Sequence, residues 1–125
     1  TLVHPTANIS KTATLGTGTV ILQHVTVASN ARVGNHVVVL PSSIISHDTV
    51  VGDYTCIAGG VSISGRVHVG KACYLGTHAS IIGDAVVGDY SLIGMGAVVL
   101  KNVPSKTVVV GNPARRLRSV TEVSR

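Results

Sequence analysis

Aliphatic residues recur along this chain every six positions. From Val3 the series runs through Ile9, Leu15, Ile21, Val27, Val33, Val39, Ile45, Val51, Ile57, Ile63, Val69, Leu75, Ile81, Val87 and Ile93 to Val99 without a break. A second series, from Ala7 through Ala13, Thr19, Val25 and Ala31 onward to Val103, holds only small or β-branched residues. A period of six is neither the 3.6 of a helix nor the two of a continuous strand, so the repeating unit must be a short strand followed by a turn. Gly16, Gly34, Gly52, Gly70 and Gly88 lie eighteen apart, as expected when three such units close one coil and every coil repeats the same corner. The predicted fold is all-β, a triangular prism of stacked coils with the aliphatic series inside and the small series at the corners. Adjacent coils pair as parallel strands about 4.8 Å apart, which makes the prism roughly 27 Å long.

One unit carries chemistry as well as fold. Ile44 to Thr49 reads IISHDT, and its middle positions are His47 and Asp48. Taken eighteen residues at a time, the column through His47 is Lys11, Ser29, His47, Gly65, Gly83 and Lys101. Gly65, one coil beyond His47, leaves space and a backbone N–H. On residues alone His47 is either a turn histidine or a base beside a bare amide, the pair that acyl transfer uses to remove a proton and hold an oxyanion. The next column is Thr12, Asn30, Asp48, Arg66, Asp84 and Asn102. Asp48 therefore either activates His47 or joins Arg66 and Asp84 in a surface charge ladder. No side chain stands out as a nucleophile, so no covalent enzyme intermediate is required.

The pattern [aliphatic]-G-x-x-[small]-x over residues 2 to 103, followed by VVVGNPARRLR at 108 to 118, resembles the left-handed parallel β-helix acyltransferases. The left hand comes from that resemblance, because parallel crossovers in general favour the right. Within the superfamily, SSIISHDTVVGD with IAGGVSISGRVHVG after it is similar to the sugar acyltransferases of the sialic acid O-acetyltransferase and bacillosamine-pathway N-acetyltransferase type. The resemblance divides the chain into a β-helix domain, 1 to 103, and a cap and cofactor-loop extension, 104 to 125. It implies an acetyltransferase that moves an acetyl group from acetyl coenzyme A to an amine or hydroxyl of a sugar in surface glycan biosynthesis. The acceptor would be a nucleotide-linked amino sugar or a sialic acid. It also assigns roles: His47 as general base, Asp48 raising its basicity, and Gly65 donating to the acetyl carbonyl.

The cofactor wall is read the same way. Thr77 and Met95 match coenzyme A contacts and stand eighteen apart in the column Gln23, Pro41, Gly59, Thr77 and Met95, which suits an extended pantetheine arm. Gly76 and Gly94, one coil apart, would let that arm approach the backbone. Gly111, Asn112 and Pro113 resemble the loop that closes over the cofactor, and the same stretch would also serve as a solenoid cap. Two departures from the N-acetyltransferase pattern stand out: Leu40 where those members show Asn, and Cys56 where they show a second His. Cys56 either packs at the acetyl end of the cofactor or is an ordinary thiol. The family forms trimers with sites between prisms, so a homotrimer is expected, with His47 of one subunit facing the cofactor column of the next.

Composition narrows the remaining choices. A chain of 125 residues with 45% hydrophobic and 12% charged residues suits one solenoid domain. Ten Lys and Arg exceed five Asp and Glu, and the excess gathers at Arg115, Arg116, Arg118 and Arg125, either to meet cofactor phosphates or as a solvated terminus. With no basic stripe along the repeats and no aromatic interleaving, nucleic acid is not an expected partner. Cys56 and Cys73 should face opposite ways, so no disulfide is expected and a reducing cytoplasm fits. No signal peptide and no membrane-length apolar run is present. Gly18, Asn30 and Asn35 are expected at corners that need positive φ, and His4, His24 and His36 read as corner residues.

Members of the resembled family usually carry a small nucleotide-sugar-binding α/β domain before such a segment. This sequence begins at Thr1, as an isolated C-terminal domain, a trimmed piece or a natural short form would. The competing enzyme on this fold, a γ-type carbonic anhydrase, needs three zinc-binding histidines whose spacing His4, His24, His36, His47, His68 and His78 do not reproduce, so no metal is expected. A different class of answer is a non-catalytic trimeric scaffold, which need not bind acetyl coenzyme A.

Overall fold

The computed structural model describes residues 1–120. Two-residue strands alternate with tight turns at a spacing of six, and strands eighteen residues apart pair in parallel, as in Val38–Val39 with Cys56–Ile57 and Ile44–Ile45 with Ser62–Ile63. Three sheets result. The first has eight strands and begins at Leu2–Val3, the second has six and begins at Asn8–Ile9, and the third has five and begins at Thr14–Leu15. The architecture is a parallel β-solenoid of about six turns and fits the left-handed β-helix. We number the corners in chain order: the first joins the first and second sheets, the second joins the second and third, and the third returns to the first.

The aliphatic series fills the prism. From Ile21 to Val99 every member is buried, and Val39, Ile45, Ile57, Ile63, Leu75 and Ile93 are wholly shielded. Each such side chain contributes about 1.5–3 kcal/mol relative to exposure. The small series sits just inside the corners, and its hydroxyls explain why polar residues are tolerated there. Ser43 Oγ donates to the Ala58 carbonyl at 2.7 Å and accepts the Val61 N–H at 3.1 Å. Thr19, Thr49 and Thr55 repeat that double bond. A buried hydroxyl satisfied on both sides carries no desolvation penalty and ties one coil to the next.

The eighteen-residue glycines are required by close stacking at the third corner rather than by φ. A Cβ on Gly52 would lie 2.5 Å from the Gly70 carbonyl carbon, and one on Gly34 would lie 2.3 Å from Asp53 Oδ1. Positive φ falls elsewhere, on the last turn residue at every sixth position from Gly18 to Gly96. Gly18 and Asn30 adopt it as expected, but Asn35 does not, and His36 carries it with φ 55°. Asn35 has a different task, accepting the Thr17 N–H through Oδ1 at 2.8 Å.

The solenoid continues past the last regular repeat. Val99 still pairs with Ile81, eighteen back, whereas Val103 bridges Val87 and Val108 pairs with Leu92, both sixteen back. Two residues are lost at the second corner, where Asn102 Oδ1 takes the Val86 N–H. Thr107–Val110 then extends the first sheet, and Arg115–Ser119 returns antiparallel to it with a bulge between Val108 and Val109. The hairpin tip, residues 111 to 114, is fixed to the second sheet through Val98 N–H to the Gly111 carbonyl and Ala114 N–H to the Val98 carbonyl. Arg125 lies outside the described residues.

Candidate active site

His47 and Asp48 occupy the second corner, where the turn after Ile44–Ile45 turns both side chains outward. His47 Nδ1 and Asp48 Oδ2 are 2.9 Å apart, each side chain about half exposed at 49% and 50%. With Asp48 accepting from Nδ1–H, Nε2 is the unprotonated nitrogen. The imidazole leans one coil onward, over Gly65. A Cβ at that position would lie 2.4 Å from His47 Nε2, so only glycine lets the ring take this pose.

The charge ladder resolves into two separate pairs. Arg66 does not reach back to Asp48; it forks onto Asp84, Nε to Oδ1 at 2.7 Å and Nη2 to Oδ2 at 3.1 Å. Hydrogen bonding from the Arg66 guanidinium, with the guanidinium's own charge adding to it, holds the Asp84 carboxyl below its ordinary range. That pair is open to solvent and contributes little to stability. Its consequence is to leave Asp48 to His47.

Backbone donors complete the site. The carbonyl of His47 accepts the Arg66 N–H at 2.9 Å and that of Gly65 accepts the Asp84 N–H at 3.0 Å. The Gly65 N–H itself meets no acceptor among the described residues. A base nitrogen therefore stands over an unspent amide donor. Rings over glycines are not unique to this corner, since His36 covers Gly18 and His78 covers Gly60, each from the following coil and with Nδ1 nearest. What sets His47 apart is the carboxylate on its Nδ1.

The predicted cofactor residues gather at the first corner. Thr77 and Met95 stack one coil apart, Met95 76% exposed. The hairpin tip with Gly111, Asn112 and Pro113 lies beyond them, and a Cβ on Gly94 would touch Val110 Cγ1 at 2.8 Å. The N–H groups of Gly59, Thr77 and Met95 have no acceptor among the described residues, whereas those of Gly76 and Gly94 are bonded to the Ile93 and Val109 carbonyls at 2.8 and 2.9 Å. Gly76 is bare because a Cβ would lie 2.6 Å from the Met95 nitrogen. Coil stacking thus accounts for Gly76 and Gly94, and the amides open to a ligand belong to their neighbours.

Cys56 lies apart from both corners, half-buried on the outward side of the first sheet, and burial raises its thiol pKa. Cys73 is also a free thiol, but it is buried at a corner. Within one chain the first and second corners bound the two edges of the second sheet, so His47 and the Thr77–Met95 column do not meet. Sequence reasoning passed over Arg32, whose side chain lines a groove of about 460 Å³ together with Asp48. The signal was available, because Arg32 is the one guanidinium in the column Thr14, Arg32, Val50, His68 and Val86.

Residues 66–101 match the family model for the bacterial transferase hexapeptide (six repeats). No curated protein sequence matches the chain. Among solved structures, PerB from Caulobacter crescentus, in complex with CoA and GDP-perosamine, is similar with a TM-score of 0.90 and 25% identity over 91% of this chain and 55% of that one. The acetyltransferase domain of PglB from Neisseria gonorrhoeae gives 0.92 and 30% over 93% and 57%, and has also been solved with acetyl coenzyme A. WeeI from Acinetobacter baumannii gives 0.89 and 33% over 92% and 57%. The chain spans little more than half the length of these proteins.

Proposed function

We propose that this hexapeptide-repeat β-helix transfers the acetyl group of acetyl coenzyme A to an amine or hydroxyl of a sugar, with His47 as general base. The observation that carries the reading is the His47 Nε2 poised over Gly65 while Nδ1 is held by Asp48 at 2.9 Å. The ligands of the similar structures, CoA and GDP-perosamine in one and acetyl coenzyme A in another, support the two substrate classes.

The donor supplies a thioester carbonyl. His47 Nε2 takes the proton from the acceptor amine or hydroxyl as that atom attacks the carbonyl carbon, and Asp48 stabilises the imidazolium that forms. The Gly65 N–H donates to the carbonyl oxygen as it becomes an oxyanion. When the carbon–sulfur bond breaks, the proton on His47 is available to the departing thiolate. No protein nucleophile is used, in keeping with a Cys56 thiol whose burial keeps it protonated.

The unspent amides of Gly59, Thr77 and Met95 suit the amide-bearing pantetheine arm, and Gly111, Asn112 and Pro113 close its far end. Because these residues and His47 lie at opposite edges of the second sheet, a three-fold assembly with that sheet toward the axis brings one chain's base to the next chain's cofactor column. We therefore read the protein as a homotrimer working in the cytoplasm. Each subunit has two parts, the β-helix to residue 103 that carries the base and the extension from 104 that caps the coil and closes on the cofactor. Among the described residues no helix is long and apolar enough to cross a membrane.

Acetyl transfer to a panel of nucleotide amino sugars and sialic acids, followed by release of the coenzyme A thiol, tests the reading. Transfer that collapses in His47→Ala while acetyl coenzyme A still binds supports it; a chain that does not bind acetyl coenzyme A refutes it. Light scattering that returns a monomer at assay concentration refutes the shared site.

A further inference from the structure

The groove beside Asp48 has no part in the reading so far. Its walls are Thr12, Thr14, Asn30, Arg32, Asp48 and Val50, from three successive coils along the edge where the second corner meets the third sheet. Thr12 Oγ1 is occupied by the Asn30 N–H at 3.0 Å and by Ser10 Oγ at 3.2 Å. The side chains of Thr14, Asn30 and Arg32 make no hydrogen bond or ion pair among the described residues. Arg32 contrasts with Arg66, whose guanidinium is consumed by Asp84. Asp48, the groove's carboxylate, is engaged by His47. A guanidinium without an anion thus faces a polar groove that reaches Asp48, the partner of His47.

We propose that this groove binds the sugar acceptor and that Arg32 grips an anionic group on it, a phosphate of a nucleoside-diphosphate sugar. The proposal rests on the acetyl-transfer reading for the identity of the neighbouring base, and on the groove alone for the anion. Arg32 lies one coil before His47, and Nε2 leans one coil after it, so the anion and the acceptor atom are separated by about 5–10 Å, one to two coil spacings. A sugar ring substituted at one end by an amine and at the other by phosphate has that reach. The planar guanidinium matches two phosphate oxygens at once. Asn30 and Thr14 supply donors and acceptors for ring hydroxyls. Donor and acceptor then reach His47 from opposite ends of the prism, the acetyl carbonyl over Gly65 and the acceptor from the Arg32 side.

The same chemistry could serve the carboxylate of an acidic sugar, and two arms of one experiment separate the sources. Amide NMR signals of the whole chain are followed during titration with inorganic pyrophosphate and, separately, with N-acetylneuraminate. Pyrophosphate is expected to move the signals of Asn30 and Arg32 in the parent chain and not in Arg32→Gln, with Arg32→Lys in between. If only the acidic sugar moves them, the phosphate assignment is overturned. If neither does, the groove is not an anion site. Kinetics give a second readout, because Arg32→Gln is expected to raise KM for a nucleotide-linked amino sugar by about 10- to 100-fold. Its KM for acetyl coenzyme A stays put, and the gap between that acceptor and the same amino sugar without its nucleotide closes. An unaltered acceptor KM in an active enzyme overturns the proposal while leaving acetyl transfer intact. Arg32-dependent pyrophosphate binding in a chain that transfers nothing keeps the groove and sinks the transferase reading.

Discussion

The second and third corners of the prism are made from the same turn, yet they treat its middle N–H in opposite ways. At the third corner side chains from the next coil absorb three of these donors. Asn35 Oδ1 takes the Thr17 N–H, Asp53 Oδ1 the Asn35 N–H and Asp89 Oδ1 the Lys71 N–H, each at 2.8–2.9 Å. His36 and Tyr54 stack on the outside with ring centroids 5.3 Å apart. At the second corner Gly83, one coil beyond Gly65, has no side chain to accept with, and the Gly65 N–H stays unspent beneath His47 among the described residues. At both corners the turn's middle N–H finds no backbone acceptor in the ladder. One corner uses that donor to bind coil to coil, and the other leaves it open beneath His47.

Substitutions at the two corners should therefore separate rate from stability. The largest effect is expected from His47→Ala, which removes the base and should lower kcat by about 10²- to 10⁴-fold with cofactor binding retained; steady-state kinetics beside calorimetric titration reads both. Gly65→Ala leaves every catalytic group in place but puts a Cβ where Nε2 sits. Displacing the ring by about 1 Å should cost 10- to 100-fold in kcat, and a thermal midpoint near that of the parent would show that only the pose was lost. Asp48→Asn keeps the size of the side chain and removes the charge that supports the imidazolium, for a loss of about 10-fold. A kcat equal to the parent's would return Asp48 to a surface role.

At the closed corner the prediction inverts. Asp53→Ala returns the Asn35 N–H to water and should lower stability by about 0.5–1.5 kcal/mol in urea unfolding while kcat is preserved. A fall in kcat with stability unchanged would mean that this corner, too, meets substrate. The smallest effect is expected at Cys56. Its raised pKa keeps the thiol neutral near pH 7, so Cys56→Ser should change kcat by less than about two-fold, and prior alkylation should not abolish transfer.

The strands were legible because a period of six leaves few alternatives, and the series from Val3 to Val99 is uninterrupted. The end of the coil was harder to read. Val103, Val108 and Val109 continue the prism with two residues fewer per coil, a slip that breaks the periodic signal without ending the fold. Asn35 was expected at positive φ and instead serves as an acceptor, because Asn suits both tasks and only the neighbouring coil distinguishes them. In the candidate site the column placed Gly65 one coil beyond His47, as the structure has it, while the roles of His47, Asp48 and Gly65 came from the resemblance. The partner of Asp48 was not legible, since Arg66 stands equally close in sequence register to Asp48 and Asp84, and it is the side-chain geometry that commits it to Asp84. Arg32 was overlooked because a single cation on a strand has no pattern of its own until the groove around it is seen.

By itself the sequence determined the prism: which residues face inward, that three units close a coil, and that residues eighteen apart stack. Those properties follow from hydrophobic periodicity, and periodicity is a property of the covalent chain. The tertiary structure decided which backbone donors remain unspent, which way the His47 ring leans, and that His47 and the Thr77–Met95 column lie at opposite edges of one sheet. Each of these depends on groups brought together across a coil spacing of about 4.8 Å, where a rotamer or a missing Cβ settles the contact and the order of residues does not.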